Sequence, residues 1–451
     1  MKIIIGGAGS VGASIIGYLT QGNNDIVVID TDAKKLDEIS QYWDVRPILG
    51  SVSHPSILET ADAAHSDLLL AVTDSDEVNI VACQIAHTLF DMPQKIARLD
   101  NEDYLAPDWA ELYNDDNAPI DLIISPDIAI ANAVHELIML PGAQEFHSLL
   151  NGRLCLIALH CTKKCPLIKT PLSQLSLLAP ELDIAFVGIL RKGQCFIPGD
   201  TDIIDESDDV YFLVEKSKLY EAIHAFDMDK SAVERVVIFG GNPIALNLAR
   251  KLEKDDNIIS CKIVEPDVKT ARNLAKFLNS TAVINGDYMQ DAIMQEAGIE
   301  NADIAVSITD SDKDNMLLPL LSKKLGASGS ISLMNTRSYN NLLDNTDNVW
   351  VDRSAVTISQ ILKEIRKAKI AEAYSLGRGF GEIWELKISE NSKLRDKKIS
   401  ALKLPSNSKL CAILRDEAII FPLATETLQL DDRIIYYVGA DSIKKAEKIF
   451  A

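Results

Sequence analysis

The chain of 451 residues contains no apolar run of the ~18 to 20 residues that a membrane-spanning helix requires. Its amino terminus passes straight into a strand pattern with no signal-peptide layout, so the expectation is a protein that starts and stays in the cytosol. Positive charge is in deficit: 45 lysines and arginines face 66 aspartates and glutamates, a formal charge of -21. Nucleic-acid binding rests on neutralising phosphates, and docking on anionic lipid also needs cations, so neither is expected as the main function. Cysteine is sparse and odd in number. The seven residues at 83, 155, 161, 165, 195, 261 and 411 are scattered in a way that argues against a disulfide framework. CTKKC, with Cys161 and Cys165 behind His160, is the one cluster. Its spacing is loose for zinc and no second pair follows, so no metal site is expected.

What is present is apolar and repeated. Hydrophobic residues make up 47% of the chain and charged residues 25%, a globular composition, and the length implies several domains. KIIIGGAGSVGASIIGYL at residue 2 is answered by RVVIFGGNPIALNLARKL at 235, and IVVIDTD at 26 by KIVEPD at 262. LLLAVTDSDEVNIVACQIA at 68 is answered by IAVSITDSDKDNMLLPLLS at 304. A shorter unit from 187, VGILRKGQCFIPGDTDIIDESDDVYFLV, recurs from 411 as CAILRDEAIIFPLATETLQLDDRIIYYV. Order and spacing are both kept, so the chain is written twice.

Each half reads as a longer α/β part and a shorter β-rich part. Runs such as IVVID and LLLAV are apolar without alternation, as in parallel strands covered on both faces, which implies tandem Rossmann-like doubly wound sheets. DVYFLV and RIIYYV alternate between turn signals, implying small, mainly antiparallel C-lobes in an α+β arrangement. The expected boundaries are 1–140, 141–228, 232–371 and 372–451. Between the parts lie two connecting helices. SPDIAIANAVHELIML offers Ser125 as N-cap, Pro126 at the first helical position, and a stripe of Ile130, Val134, Leu137 and Ile138. TISQILKEIRKAKI repeats the stripe with Ile358, Ile361, Leu362 and Ile365. Each stripe packs either on its own domain or across onto a neighbouring subunit or half.

Gly7-Ala8-Gly9-Ser10-Val11-Gly12 matches G-x-G-x-x-G between a strand and a helix, the context that a dinucleotide fold needs. Gly7 permits the tight turn, Gly9 the approach of a pyrophosphate, and Gly12 close helix packing, while free amides at the helix start face the phosphates. Asp30 ends the next strand, where a carboxylate accepts from ribose hydroxyls and repels a 2′-phosphate, favouring NAD or an adenosine nucleotide over NADP. Arg98, just past another strand end, is within reach of a phosphate or is simply solvated. Thr73 and Asp74 also lie at the ligand-binding edge, although a helix N-cap accounts for Asp74 as well. In the second half Gly240, Asn242 and Ala245 replace the three glycines and Pro243 removes an amide donor. Glu265 keeps the carboxylate and Leu333 stands where Arg98 stood. Unequal sites are expected, the first being the stronger.

GGAGSVG, IVVIDTD, GSVSHPSIL, AVTDSDEVNIVACQIA, IARLDNEDYL and the duplicated tail together resemble the TrkA family, cytosolic regulatory subunits of Trk potassium uptake systems. The resemblance covers the whole chain. It implies two tandem regulator-of-potassium-conductance units, each with a nucleotide-binding N-lobe and a C-lobe. It also implies NAD(H), or ATP and ADP, as ligands, assembly into a homo-oligomeric ring, and gating of a Trk-type membrane potassium transporter from the cytosolic face. On matching positions the first site would comprise Gly7, Gly9, Gly12 and Asp30 with Thr73, Asp74 and Arg98. Gly240 and Glu265 are the second-half counterparts. No calcium motif of related gating domains is identifiable. The rival classes are an NAD-dependent oxidoreductase and a scaffold that only assembles. The oxidoreductase needs an acid or base beside the nicotinamide, and of seven histidines His54 in SVSHPS is nearest in sequence to the cleft. No convergent set of nucleophile, base and orienting partner can be assembled, so the reading is of a sensor and not an enzyme.

Overall fold

The computed structural model describes residues 1–20, 22, 24–114, 116–174, 183–226, 232–334, 348–365, 370–377 and 379–450. Its first sheet is parallel: β1 (Lys2–Gly6), β2 (Asp25–Asp30), β3 (Arg46–Leu49), β4 (Leu68–Ala71), β5 (Gln94–Arg98) and β6 (Leu122–Ile124), in the order 3-2-1-4-5-6. Ile3, Ile4, Ile5, Val28, Leu68, Leu69 and Leu70 are buried along consecutive positions. That lack of alternation is what helices on both faces of a sheet demand. The helices are α1 (Ser10–Leu19), α2 (Ala33–Tyr42), α3 (Pro55–Thr60), α4 (Asp76–Phe90), α5 (Glu102–Leu105) and α6 (Pro126–Met139).

The next sheet is antiparallel, with β7 (Ala143–Leu149), β8 (Leu154–His160), β9 (Ile184–Arg191), β10 (Gln194–Phe196) and β11 (Asp209–Glu215) ordered 10-9-11-8-7, and α7 (Leu219–Ala225) follows. The second half repeats both. β12 (Arg235–Phe239), β13 (Ser260–Glu265), β14 (Ala282–Asn285), β15 (Ile304–Ser307), β16 (Gly329–Met334) and β17 (Val349–Asp352) form a parallel sheet in the order 14-13-12-15-16-17. Its helices are α8 (Pro243–Leu252), α9 (Val268–Phe277), α10 (Asp291–Ala297), α11 (Asp312–Leu325) and α12 (Arg353–Ile365). The last sheet has β18 (Ile370–Leu376), β19 (Gly381–Lys387), β20 (Ser408–Arg415), β21 (Ala418–Ile420) and β22 (Arg433–Gly439) in the order 18-19-22-20-21, with α13 (Ile443–Phe450) at the end.

Two compact units result, Met1–Ala129 with Val356–Ile361, and Ile130–Ala355 with Leu362–Ala451. The stripe of α12 is thus divided, with Ile358 and Ile361 in the first unit and Leu362 and Ile365 in the second. From Ile130 onward α6 belongs with the second unit, where Asn132 Oδ1 accepts from Lys251 Nζ at 2.6 Å and His135 lies 3.6 Å from Asp255. The Ser125 hydroxyl donates to Leu99 O at 2.6 Å.

Within the second unit the two C-lobes share one core, in which Leu149, Leu156 and Tyr211 pack with Leu376, Ile383 and Tyr437. Polar groups cross the same boundary. Glu145 accepts the Gly377 amide at 2.8 Å and the Tyr211 hydroxyl at 3.0 Å, and Glu385 accepts the Leu150 amide at 3.1 Å. The duplicated tail arginine clamps a buried aspartate in each lobe. Arg191 donates Nε and a terminal nitrogen to Asp208 at 2.8 and 2.7 Å, and Arg415 does the same to Asp432 at 2.8 Å twice. Asp432→Asn leaves Arg415 inside the lobe without its bidentate partner, and unfolding by urea should show a loss of about 3 kcal/mol. Lys387→Ala removes only the exposed pair with Asp431 and should cost less than about 1 kcal/mol. Equal losses would contradict this account.

Glu253, at the end of α8, accepts the amides of Asn279, Ser280 and Thr281 at 2.8 to 2.9 Å. Burial pushes its carboxyl up, but those amide bonds prevail and hold it at about 2, below the usual 4.5. A depressed carboxylate pKa stabilises the fold fully above the unfolded value and ceases to do so as the pH falls through the folded value. The stability difference between the parent and Glu253→Gln should therefore be constant near neutrality and vanish between pH 4.5 and about 2, measured by acid titration of thermal unfolding.

Candidate functional site

The order of the first sheet reverses between β1 and β4, which opens a crevice at the carboxyl ends of those strands. The glycine loop lies there, and its three glycines have different reasons for being glycine. Gly7 has φ +113°, and a Cβ on it would meet Val72 O at 2.7 Å. On Gly12 a Cβ would lie 2.0 Å from Gly7 O. Both are required by the chain's own backbone. Gly9 is not: its φ of -71° suits any residue, and an added Cβ meets nothing within 4 Å. No described residue of the chain fills the space beside it.

The helix that follows is open in the same direction. Gly9 is the N-cap of α1, no side chain caps the helix, and its first turn holds no acid. An α-helix begins with unsatisfied amides and a partial positive charge, so this terminus is suited to an anion. Ser10 is exposed at its start, whereas Ala8 and Val11 are buried and fix the loop to the sheet. Asp30 at the end of β2 turns toward this loop: Oδ2 accepts the Ala8 amide at 2.6 Å and Oδ1 the Asp32 amide at 2.8 Å. Each carboxylate oxygen has further acceptor capacity, enough for a pair of vicinal hydroxyls.

The β4 and β5 ends are tied together by a residue not singled out from the sequence. Asn79, fully buried on α4, accepts the Thr73 amide at 3.0 Å and its hydroxyl at 2.7 Å, and donates to Thr73 O at 3.1 Å and Arg98 O at 2.8 Å. Thr73 is therefore engaged by the protein, and Asp74 is exposed. The cap of α4 is Ser75, through the Val78 amide at 3.3 Å, and not Asp74. Asn315 repeats all four bonds in the second half, to Thr309 and to Leu333 O. The signal was the recurrence of T-D-S-D-x-x-N, in which the asparagine is as invariant between the halves as the acids.

Arg98 is not a solvated arginine. Its side chain is 15% exposed, and one terminal nitrogen lies 2.6 Å from Asp100 Oδ2 and 3.6 Å from Asp127 Oδ2. Asp76 in turn accepts the Asp100 and Asn101 amides at 3.1 and 2.8 Å.

The second loop has the same course but its cradle is filled. Gly240, φ +103°, approaches the Ile308–Thr309 backbone as Gly7 approaches Val72. Where Gly9 leaves space, Asn242 donates to Ile308 O at 2.6 Å and accepts the Ala245 amide at 3.2 Å, capping α8 with its own side chain. Glu265 accepts the Asp267 amide at 2.7 Å, and Leu333 is buried.

His54 is the exposed residue at the start of α3, as a helix-start histidine would be. Cys161 and Cys165 are both buried. Their mutual hydrogen bond and burial push the Cys161 thiol far above its usual range, away from the reactive thiolate. No helix among the described residues is long and apolar enough to cross a membrane.

The model of the TrkA-N domain matches residues 3–126 and 236–353, and that of the TrkA-C domain residues 383–451. A Trk system potassium uptake protein TrkA from Azorhizobium caulinodans is 33% identical over 451 residues, all of this chain and 98% of its own. One from Haemophilus influenzae is 32% identical over 455 residues, with the same shares. Among solved structures, the GsuK RCK domain superposes with a TM-score of 0.65 at 17% identity, covering all of this chain and 94% of its own. The GsuK channel bound to NAD gives 0.62 at 15% identity, covering all of this chain and 78% of its own. At such identities the likeness is one of fold.

The glycine geometry separates structural from ligand roles. Gly9→Ala should leave the melting temperature unchanged while weakening binding of NADH or ADP at least tenfold by calorimetry, because its methyl enters only the open cradle. Gly12→Ala should destabilise by about 2 kcal/mol or more, since the Gly7 carbonyl must shift.

Proposed function

The chain belongs to the TrkA family of Trk potassium-uptake proteins, and on that premise we propose that it is a nucleotide-sensing regulatory subunit whose first half holds NAD(H) or an adenine nucleotide. The observation that carries this reading is the second glycine. Gly9 serves no need of the chain itself, and it stands between an uncapped helix and a carboxylate turned to the same loop. In this reading the α1 amides take the diphosphate, Gly9 lets it approach, and Asp30 orients the ribose through its hydroxyls. Gly7 and Gly12 keep the loop in shape, while Thr73 and Asp74 line the edge beyond β4. Arg98 offers a cation further along. In this reading the nucleotide is a ligand to be read and not a reactant, in keeping with relatives named as potassium uptake proteins.

The second half keeps the fold without the cradle, since Asn242 supplies from within what a phosphate would supply from outside. Gly240 and Glu265 are then structural remnants. A pair of unequal halves gives the device its logic: ligand biases the first N-lobe alone, and its differential affinity for two arrangements sets how far the assembly shifts. The proposed partner is a Trk-type membrane potassium transporter subunit, met at its cytosolic face by a homo-oligomeric ring of these chains. The GsuK channel bound to NAD supports the reading as a similar fold that takes this ligand.

The test is potassium flux in vesicles carrying a Trk membrane subunit, with this protein added and NAD, NADH, ATP and ADP compared. Flux should depend on the nucleotide, and Asp30→Ala should abolish that dependence while Glu265→Ala preserves it. Binding of the transporter with no nucleotide effect would make the protein a scaffold. Steady consumption of NADH with a small carbonyl substrate would make it an oxidoreductase.

A further inference from the structure

The two halves differ at three aligned positions besides the second and third glycines of the loop. In the first half Val52, after β3, and Val78, in the first turn of α4, pack in one apolar core, and a Cβ added to Gly6 would meet Val52 at 2.6 Å. The repeat replaces all three, Gly6 by Phe239, Val52 by Tyr288 and Val78 by Asp314. The Tyr288 hydroxyl donates to Asp314 Oδ2 at 3.1 Å, and its ring meets Phe239 edge-on with centroids 6.3 Å apart. Two valines have become a hydrogen-bonded pair, both members changing together. Tyr288 thus runs from the loop after β14 to the first turn of α11, across the carboxyl ends of β13 and β12. Burial pushes its hydroxyl up to about 12, and the Asp314 bond adds to this, while Thr309 opposes it and Glu265 raises it again. The hydroxyl stays protonated near neutrality, among groups from both sides of the crevice.

We propose that the second crevice carries its own occupant, in which Tyr288, held by Asp314, takes the place of an adenosine as Asn242 takes that of a phosphate. The proposal rests on the nucleotide reading above and adds its stoichiometry, one nucleotide per chain, with the residues that set it. A nucleotide in this fold lies where the strand order reverses, with its ribose on the acid that ends the second strand. In the second half that acid is Glu265, and Tyr288 lies beside it. The phenol brings an apolar ring and a hydroxyl donor, the two properties with which an adenosine would meet the same walls. Asn242 blocks a different part of the path, since its side chain is spent on Ile308 O and the Ala245 amide at the helix start. Glu265 accepts the Asp267 amide through one oxygen and keeps further acceptor capacity. The site has kept its ribose carboxylate and lost its space, so removal of two side chains should reopen it.

The experiment is calorimetry on the full-length protein with ADP and with adenosine, which lacks phosphate. The parent should bind one ADP per chain. In an Asp30→Ala chain, whose first site is silenced, Tyr288→Val should gain at least tenfold in affinity for adenosine and ADP alike, because the phosphate end is still blocked. Adding Asn242→Gly should then favour ADP over adenosine at least tenfold, and Glu265→Ala should remove what was gained. A merely structural role for Tyr288 produces no gain. Asp314→Val carries the test if Tyr288→Val does not fold: without its acceptor the phenol is released from the crevice, and adenosine should tighten at least threefold. A parent that binds two ADP per chain, or folded variants that gain no adenosine, would overturn the occupant while the reading of the first half stands. Variants that gain binding in a chain whose first half binds neither ADP nor NADH would overturn that reading alone.

Discussion

The contact on which this architecture depends is backbone against backbone. Gly7 approaches the Val72 carbonyl so closely that no side chain fits, and Gly240 does the same against Ile308 and Thr309. This brings the loop after the first strand of each half onto the end of the fourth, where the strand order reverses. Asn79 and Asn315 then fasten the fourth strand end to the fifth with four hydrogen bonds each, in fully buried positions. A buried amide with all of its partners satisfied stiffens a site, whereas one left partly unsatisfied would cost more than an apolar residue. The edge of each sheet is thus rigid before any ligand is considered.

On that shared frame the halves differ by a few atoms with large consequence. Gly9 against Asn242 is the difference between a helix start that can receive an anion and one that has capped itself. Asn242 also reaches Ile308, so the second loop gains a contact that the first lacks. In the proposed reading the substitution secures the second helix start at the expense of an anion site. Sites commonly retain such local deficits where function needs them.

Much of this was legible from the residues. Uninterrupted apolar runs gave parallel buried strands, alternation gave the C-lobes, and the repeat gave the duplication. The glycine pattern identified the loop but could not assign its members, because Gly7, Gly9 and Gly12 are chemically identical letters. Only geometry shows that two answer to the backbone and one to empty space. Arg98 was ambiguous for the same reason: its partners Asp100 and Asp127 lie 2 and 29 positions away, and no spacing rule joins them. The connecting helices were read correctly as striped, since Ile130, Val134, Ile358 and Ile361 are all buried. Which surface a stripe covers depends on chain connectivity, and a periodic pattern carries no record of it.

The two connecting helices are each divided between the compact units. Val356–Ile361 is packed with the unit that contains the glycine loop, while Leu362 onward runs into the unit that contains both C-lobes. The same is true in reverse of α6, whose first residues carry Asp127 and whose later ones carry Asn132 and His135. The C-lobes share one core and are held further by the Arg191–Asp208 and Arg415–Asp432 clamps, whose aspartates are buried.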